Sequence, residues 1–222
     1  MFFHFHPYKP ILDKNTKFLI IGTLPPPRFC QKNLKIKDVY FPYGSQDNLL
    51  WQVIDKIFNL SLLFDNSPEA IKQRKEFILK NKIGICDIVE SCTRTKLDAS
   101  DATMQDIVLR DILGYLKSYK KIDTLIFTGG NSKNSPEYFL KKILKQNNIK
   151  IALIDKNLPK KHKFIFDNRV FTTISLTSPS NAANKSIGAN EYYKKRKKEN
   201  PKYTTFDFRV EQYGRVFEGE FF

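Results

Sequence analysis

Lys17-Phe18-Leu19-Ile20-Ile21-Gly22-Thr23-Leu24-Pro25-Pro26-Pro27-Arg28 is the stretch on which the fold reading turns. An unbroken apolar run that stops at glycine reads as a strand covered on both faces, as parallel strands are. Runs of the same kind recur at residues 83–89, 124–127, 149–154 and 170–176. Apolar residues at helical spacing fill the intervals: Leu49, Leu50, Val53, Ile54, Ile57 and Phe58, then Ile107, Val108, Ile112, Leu113 and Leu116. Ser67-Pro68-Glu69 and Ser135-Pro136-Glu137 each read as a helix start, with serine as N-cap and proline in the first turn. Asp167-Asn168 sits between two short apolar-alternating segments and predicts a hairpin. Strands alternating with helices imply a three-layer α/β/α sandwich around a central, mostly parallel sheet. With no internal repeat and no Gly/Ser/Pro linker, one domain over residues 1–222 is expected, its end (residues 217–222) an edge strand or a tail.

Composition narrows the function classes. The chain has 222 residues, 41% hydrophobic and 27% charged, enough for a buried core. No apolar run approaches the ~20 residues of a membrane span, and Met1-Phe2-Phe3-His4-Phe5-His6-Pro7 is too short for a secretory signal. Cys30, Cys86 and Cys92 form no CxxC pair, so a disulfide framework and a four-cysteine metal site lack support. A cytoplasmic monomer without metal or cofactor is the expectation. Lys+Arg 38 against Asp+Glu 23 leaves a net charge of +15, which suits a polyanion such as DNA or RNA. The competing reading is a chain that uses lysine for solubility.

In a sheet of this type ligands bind beyond the carboxyl ends of the strands. That selects the loops after Ile21, Val89, Phe127 and Leu176. The first loop, residues 22–28, has neither the Gly-Lys-Ser/Thr of a P-loop nor a GxGxxG pattern, so NTP hydrolysis and dinucleotide binding lose their signatures. Tyr40-Phe41-Pro42-Tyr43-Gly44-Ser45-Gln46-Asp47-Asn48-Leu49-Leu50-Trp51 is an aromatic cluster, a polar turn and a helix start. Asp47 or Asn48 reads there as a helix N-cap, and Phe41 and Tyr43 read equally as core. Leu176-Thr177-Ser178-Pro179-Ser180-Asn181-Ala182-Ala183-Asn184-Lys185-Ser186 carries hydroxyls and amides suited either to phosphates or to capping the next helix. The basic run within residues 191–198 is a phosphate contact or a solvated helix face.

Taken in this order, the three segments resemble the uracil-DNA glycosylase superfamily, nearest its hypoxanthine-DNA glycosylase and mismatch-specific uracil-DNA glycosylase branches. The likeness rests on Gly22-Thr23-Leu24-Pro25, on Phe41-Pro42-Tyr43 followed by Asn48-Leu49-Leu50-Trp51, and on the Ser/Pro loop. Gly84-Ile85-Cys86-Asp87-Ile88-Val89-Glu90-Ser91-Cys92-Thr93-Arg94, Leu97-Asp98 and Thr128-Gly129-Gly130 add to it. The resemblance implies a uracil-DNA glycosylase-like fold and a monofunctional glycosylase that releases a flipped, deaminated base, uracil or hypoxanthine, from damaged DNA. It implies Asn48 as the catalytic residue. Gly22, Thr23, Leu24, Pro25, Phe41, Tyr43 and Ser178 would bind the base, and Pro179, Ser180, Asn181, Asn184, Lys185, Ser186 and Lys194 would contact DNA. The chain departs from the pattern at Leu24, where many members carry Asp or Asn, and in the last loop, where many carry His; its histidines are His4, His6 and His162. Those departures motivate the alternative of a catalytically silent nucleic-acid-binding module on the same fold.

Overall fold

A computed structural model of the chain describes residues 1–98, 100–130 and 132–221. In chain order it contains β1 (Phe2–Phe5), β2 (Phe18–Ile21), α1 (Pro27–Cys30), α2 (Leu50–Phe58), α3 (Pro68–Lys80), β3 (Ile83–Ile85), β4 (Val89–Arg94), β5 (Gln105–Leu109) and α4 (Ile112–Ser118). Then follow β6 (Thr124–Phe127), α5 (Pro136–Gln146), β7 (Ile151–Asp155), β8 (Lys160–Phe166), β9 (Arg169–Ser175), α6 (Asn184–Ala189), α7 (Glu191–Glu199) and α8 (Thr205–Phe221). Among the described residues the strands form a six-stranded sheet in the order β3-β2-β6-β9-β8-β7 and a three-stranded antiparallel sheet in the order β1-β4-β5. In the larger sheet β8 alone runs against the other five strands.

The apolar runs work because both faces of the sheet are covered. Side chains alternate along a strand. Phe18, Ile20, Ile126 and Ile174 therefore join one core, with residues of α2, α3 and α8. Leu19, Ile21, Leu125 and Phe127 join the other, with residues of α4, α5 and β4. These are the three predicted layers. The local signals hold as well. Ser67 Oγ accepts from the Ala70 amide and Ser135 Oγ from the Tyr138 amide, each ahead of a first-turn proline. Asp167 and Asn168, with φ of 52° and 57°, make the left-handed two-residue turn that joins β8 to β9.

Four expectations need correction. The run at residues 83–89 is not one strand. β3 ends at Ile85, and the chain bends around the first loop. There the Ile88 amide donates to Gly22 O (2.9 Å) and the Val89 amide to Thr23 O (3.1 Å), before β4 enters the smaller sheet. Ile107 and Val108 lie in β5, not in the helix with Ile112; the Asp111 side chain, accepting from the Gly114 amide, starts α4 after them. The run at residues 149–154 becomes β7, an edge strand that leaves Leu153 and Ile154 exposed. Residues 217–221 belong to α8 rather than to an edge strand or tail, and residue 222 lies outside the described residues. No described helix is long and apolar enough to cross a membrane.

Candidate active site

β2, β6 and β9 end at the same edge of the sheet, and their following loops enclose a cavity of about 580 Å³. Its lining includes Asn48, Gly22, Thr23, Leu24, Pro25, Phe41, Tyr43, Ser178, Pro179 and Ser180. Asn181, Asn184, Lys185, Ser186 and Lys194 lie outside that lining. Asn184 accepts from Arg209 Nη1 (3.0 Å), Ser186 donates to Ala183 O (2.8 Å), and Lys194 pairs with Glu191 (2.7 Å) on exposed α7.

Glycine at position 22 is a steric requirement. A Cβ there would lie 2.3 Å from the Tyr43 hydroxyl and 2.5 Å from Asp87 Oδ1. The triple proline then carries the backbone to α1, where Arg28 forks onto Asp38 (2.7 and 2.9 Å) and also reaches Ser45 (2.7 Å) and Asp47 (3.0 Å). This ties the first loop to the aromatic loop. Tyr43 has φ of 58°, sparsely populated for a bulky residue. Its hydroxyl lies 3.0 Å from Thr128 Oγ1 on the loop after β6, and burial holds its ionisation well above the usual phenol range. Phe41 lines the cavity and belongs to the core at once: it is 5% exposed and meets Trp51 edge to face at 5.7 Å between centroids.

Asn48 is fixed from two sides. Its Oδ1 accepts from the Leu50 amide (2.9 Å), the Leu49 amide donates to Pro179 O (2.9 Å), and Asn48 bridges Ser180 as an isolated antiparallel pair. Leu49 occupies the N-cap position of α2 without a side-chain bond, so Asn48 satisfies the first turn from one residue earlier. Asp47 does not cap; it pairs with Arg28 and Lys35. With the carbonyl of Asn48 on Leu50, its NH₂ is the end left to meet a ligand.

The Ser/Pro loop takes its shape from α8. Arg209, with no exposed surface, donates to Ser178 O (3.0 Å), Ser180 O (2.8 Å), Asn184 Oδ1 (3.0 Å) and Thr205 O (3.0 Å). Gln212 accepts from the Thr177 amide (2.8 Å), and the Tyr213 hydroxyl donates to Thr177 O (2.5 Å).

Three acidic lining residues, Asp47, Asp87 and Asp101, were absent from the sequence-based set of site residues. Asp87 is buried; its Oδ2 lies 2.9 Å from His6 Nε2, and its Oδ1 has no hydrogen-bond partner among the described residues. Reading residues 83–89 as one strand hid it, because the bend that turns Asp87 to the cavity has no local turn signal. Asp101 Oδ2 accepts from Thr23 Oγ1 (3.0 Å), and burial pushes its carboxyl up to about 6. It opens a single 3-10 turn, Asp101–Thr103, too short for a periodic pattern to mark.

No protein-family model matches the chain. Sequence similarity links it to the hypoxanthine DNA glycosylase of Methanosarcina barkeri (strain Fusaro / DSM 804), 27% identical over 138 residues, 59% of this chain and 73% of that protein. A similar match is the hypoxanthine DNA glycosylase of Methanosarcina acetivorans, 23% identical over 122 residues, 55% of this chain and 69% of that protein. Metacaspase-2 of Plasmodium falciparum is 29% identical over 150 residues, but the matched part, 64% of this chain, spans 7% of that protein. In three dimensions the chain is similar to a candidate uracil DNA glycosylase from Methanosarcina acetivorans solved by solution NMR, with TM-score 0.53 and 18% identity over 95% of this chain and 99% of the other. The chain thus shares the α/β fold of that solved structure. Its sequence likeness runs to the hypoxanthine DNA glycosylases, the branch that the motifs resemble.

Proposed function

We propose that the chain is a monofunctional DNA glycosylase that hydrolyses the N-glycosidic bond of a deaminated base, hypoxanthine or uracil, turned out of DNA into this cavity. The observation that carries the reading is the convergence, in one cavity, of the Asn48 NH₂ donors with the Phe41 and Tyr43 rings and the Ser178-Pro179-Ser180 loop. Hypoxanthine and uracil each carry a carbonyl oxygen where adenine and cytosine carry an amino group, so an NH₂ donor meets an acceptor in the deaminated bases and another donor in the normal ones. An unmatched buried polar group costs about 1–3 kcal/mol, enough to discriminate.

Bond cleavage builds positive charge on the sugar and negative charge on the departing base. Donors fixed before reaction stabilise that anion without reorganisation, and Asn48 is such a donor. Phe41 and Tyr43 supply apolar walls, and base–aromatic stacking contributes about 1–3 kcal/mol per base. Turning the base out costs a few kcal/mol, least for a mispaired base. No lysine stands among the described lining residues, which supports direct hydrolysis over a Schiff-base route.

The test is a panel of labelled oligonucleotides carrying one hypoxanthine, uracil or xanthine, in single and double strands, with alkali treatment after incubation. Alkali-labile breaks at the lesion and none at adenine or cytosine are expected. DNA binding without base release from any oligonucleotide refutes the proposal and supports the silent module, which Leu24, packed against the apolar core, would suit.

A further inference from the structure

Hydrolysis needs a group to take a proton from water, and Asn48 is not one: an amide is too weak a base, and its oxygen is on the Leu50 amide. The titratable described residues lining the cavity are Arg28, Tyr43, Asp47, Asp87 and Asp101. Arg28 is a cation forked onto Asp38. Tyr43 is a neutral phenol held by burial. Asp47 is bridged by Arg28 and Lys35. Asp87 has one oxygen on His6 and the other sealed beside Gly22 and Tyr43. Asp101 differs from all of these. One oxygen accepts from Thr23, the other takes no hydrogen bond from a described residue, and the residue, which is partly exposed, lines the cavity.

We infer that Asp101 is the general base that draws the proton from the attacking water, a role that rests on the glycosylase reading above. The water oxygen bonds to the anomeric carbon as the bond from that carbon to the base nitrogen breaks, and the bonding pair leaves with the base. The water proton passes to the Asp101 oxygen that Thr23 does not hold. The base anion takes a proton from solvent, and Asp101 returns its own to solvent before the next turnover. The carboxyl is well placed to be held still: Thr23 belongs to the first loop, and Asn134 Nδ2 donates to Asp101 O (2.9 Å).

The groups facing Asp101 fix its proton affinity. Burial raises it to about 6, Asp87 adds to the rise, and Thr23 and Arg94 oppose it. Arg94 is itself buried, bonded to His4 Nδ1 (2.8 Å), Ser100 O (2.6 Å) and Thr103 (2.8 Å). His4 is driven down to about 4 by burial and stays uncharged near neutrality. Cys92, also near, is raised by burial and stays a thiol. A base with affinity near the working pH is the efficient kind, and general-base catalysis supplies about 10²–10⁴ in rate.

Single-turnover rates of wild type, Asp101→Asn and Asn48→Ala, measured from about pH 5 to about pH 8 on the base that wild type releases best, test this. Wild type should lose rate as pH falls through about 6. Asp101→Asn, which keeps the acceptor for Thr23, should be about 100-fold slower or more and lack that acid limb. Asn48→Ala should be slow yet keep the limb. Unchanged binding of Asp101→Asn to abasic DNA, by fluorescence anisotropy, would separate chemistry from folding. Full rate in Asp101→Asn, or a slow rate with the acid limb intact, overturns the role while the glycosylase reading stands. A wild type inactive on every oligonucleotide removes both.

Discussion

Asn48 serves fold and site with opposite ends of one amide. Its oxygen holds the first turn of α2, so its orientation follows from the hydrogen bond to Leu50. Asn48→Asp should therefore keep the capping bond, since the two residues cap equally well, and melt within a few degrees of wild type. It exchanges both donors for an acceptor, and release of the base should slow by about 10²–10³. A variant that both melts normally and cleaves normally would remove Asn48 from the chemistry. Asn48 was legible because a polar turn before an apolar helix is a local pattern. Asp87 was not: its meaning depends on a bend imposed by amides of residues 88 and 89 on the first loop, a contact about 65 residues away in sequence that no window of local composition reports.

At the scale of elements, α8 decides the shape of the Ser/Pro loop. Arg209→Ala removes bonds to Ser178 O, Ser180 O, Asn184 and Thr205 O at once. Leaving such groups unpaired costs about 1–3 kcal/mol, so a lower melting temperature is expected, with DNA affinity falling further than stability alone explains. Affinity that tracks stability alone in titrations of the folded variant would show that the loop holds its shape unaided. The helix carried a readable start that a focus on residues 217–222 passed over. Thr204 Oγ1 accepts from the Asp207 amide (3.2 Å) while Asp207 Oδ2 accepts from the Thr204 amide (2.7 Å), the reciprocal pattern of a capping box. Phe206, Val210, Tyr213 and Phe217 continue it at helical spacing. The central strands β2 and β6 were legible for the reason that they are buried from end to end, with Thr124 their one polar residue. The smaller sheet was not: β1 and β5 are short and half exposed, with no run to mark them.

For the whole molecule, the excess of 15 positive charges is the handle for a polyanion. α7 buries no residue, but not all of its cations are free for that use. Lys197 donates to Pro201 O and Tyr203 O, and Arg196 pairs with Glu211. Replacing Lys194, Lys195 and Lys198 by Gln should leave the fold intact. It should flatten the dependence of log affinity on log salt by about 0.9 for each lost phosphate contact. An identical slope would place α7 off the DNA.

Asp47, Asp87 and Asp101 give the cavity acidic walls in a chain whose net charge is +15. Carboxylates disfavour a phosphate, so in the proposed reaction the chamber would admit the uncharged ring and leave the sugar–phosphate at the doorway. A free base should consequently compete for the chamber better than the same base carrying a monophosphate, and a strand already relieved of its base would be held by charge alone.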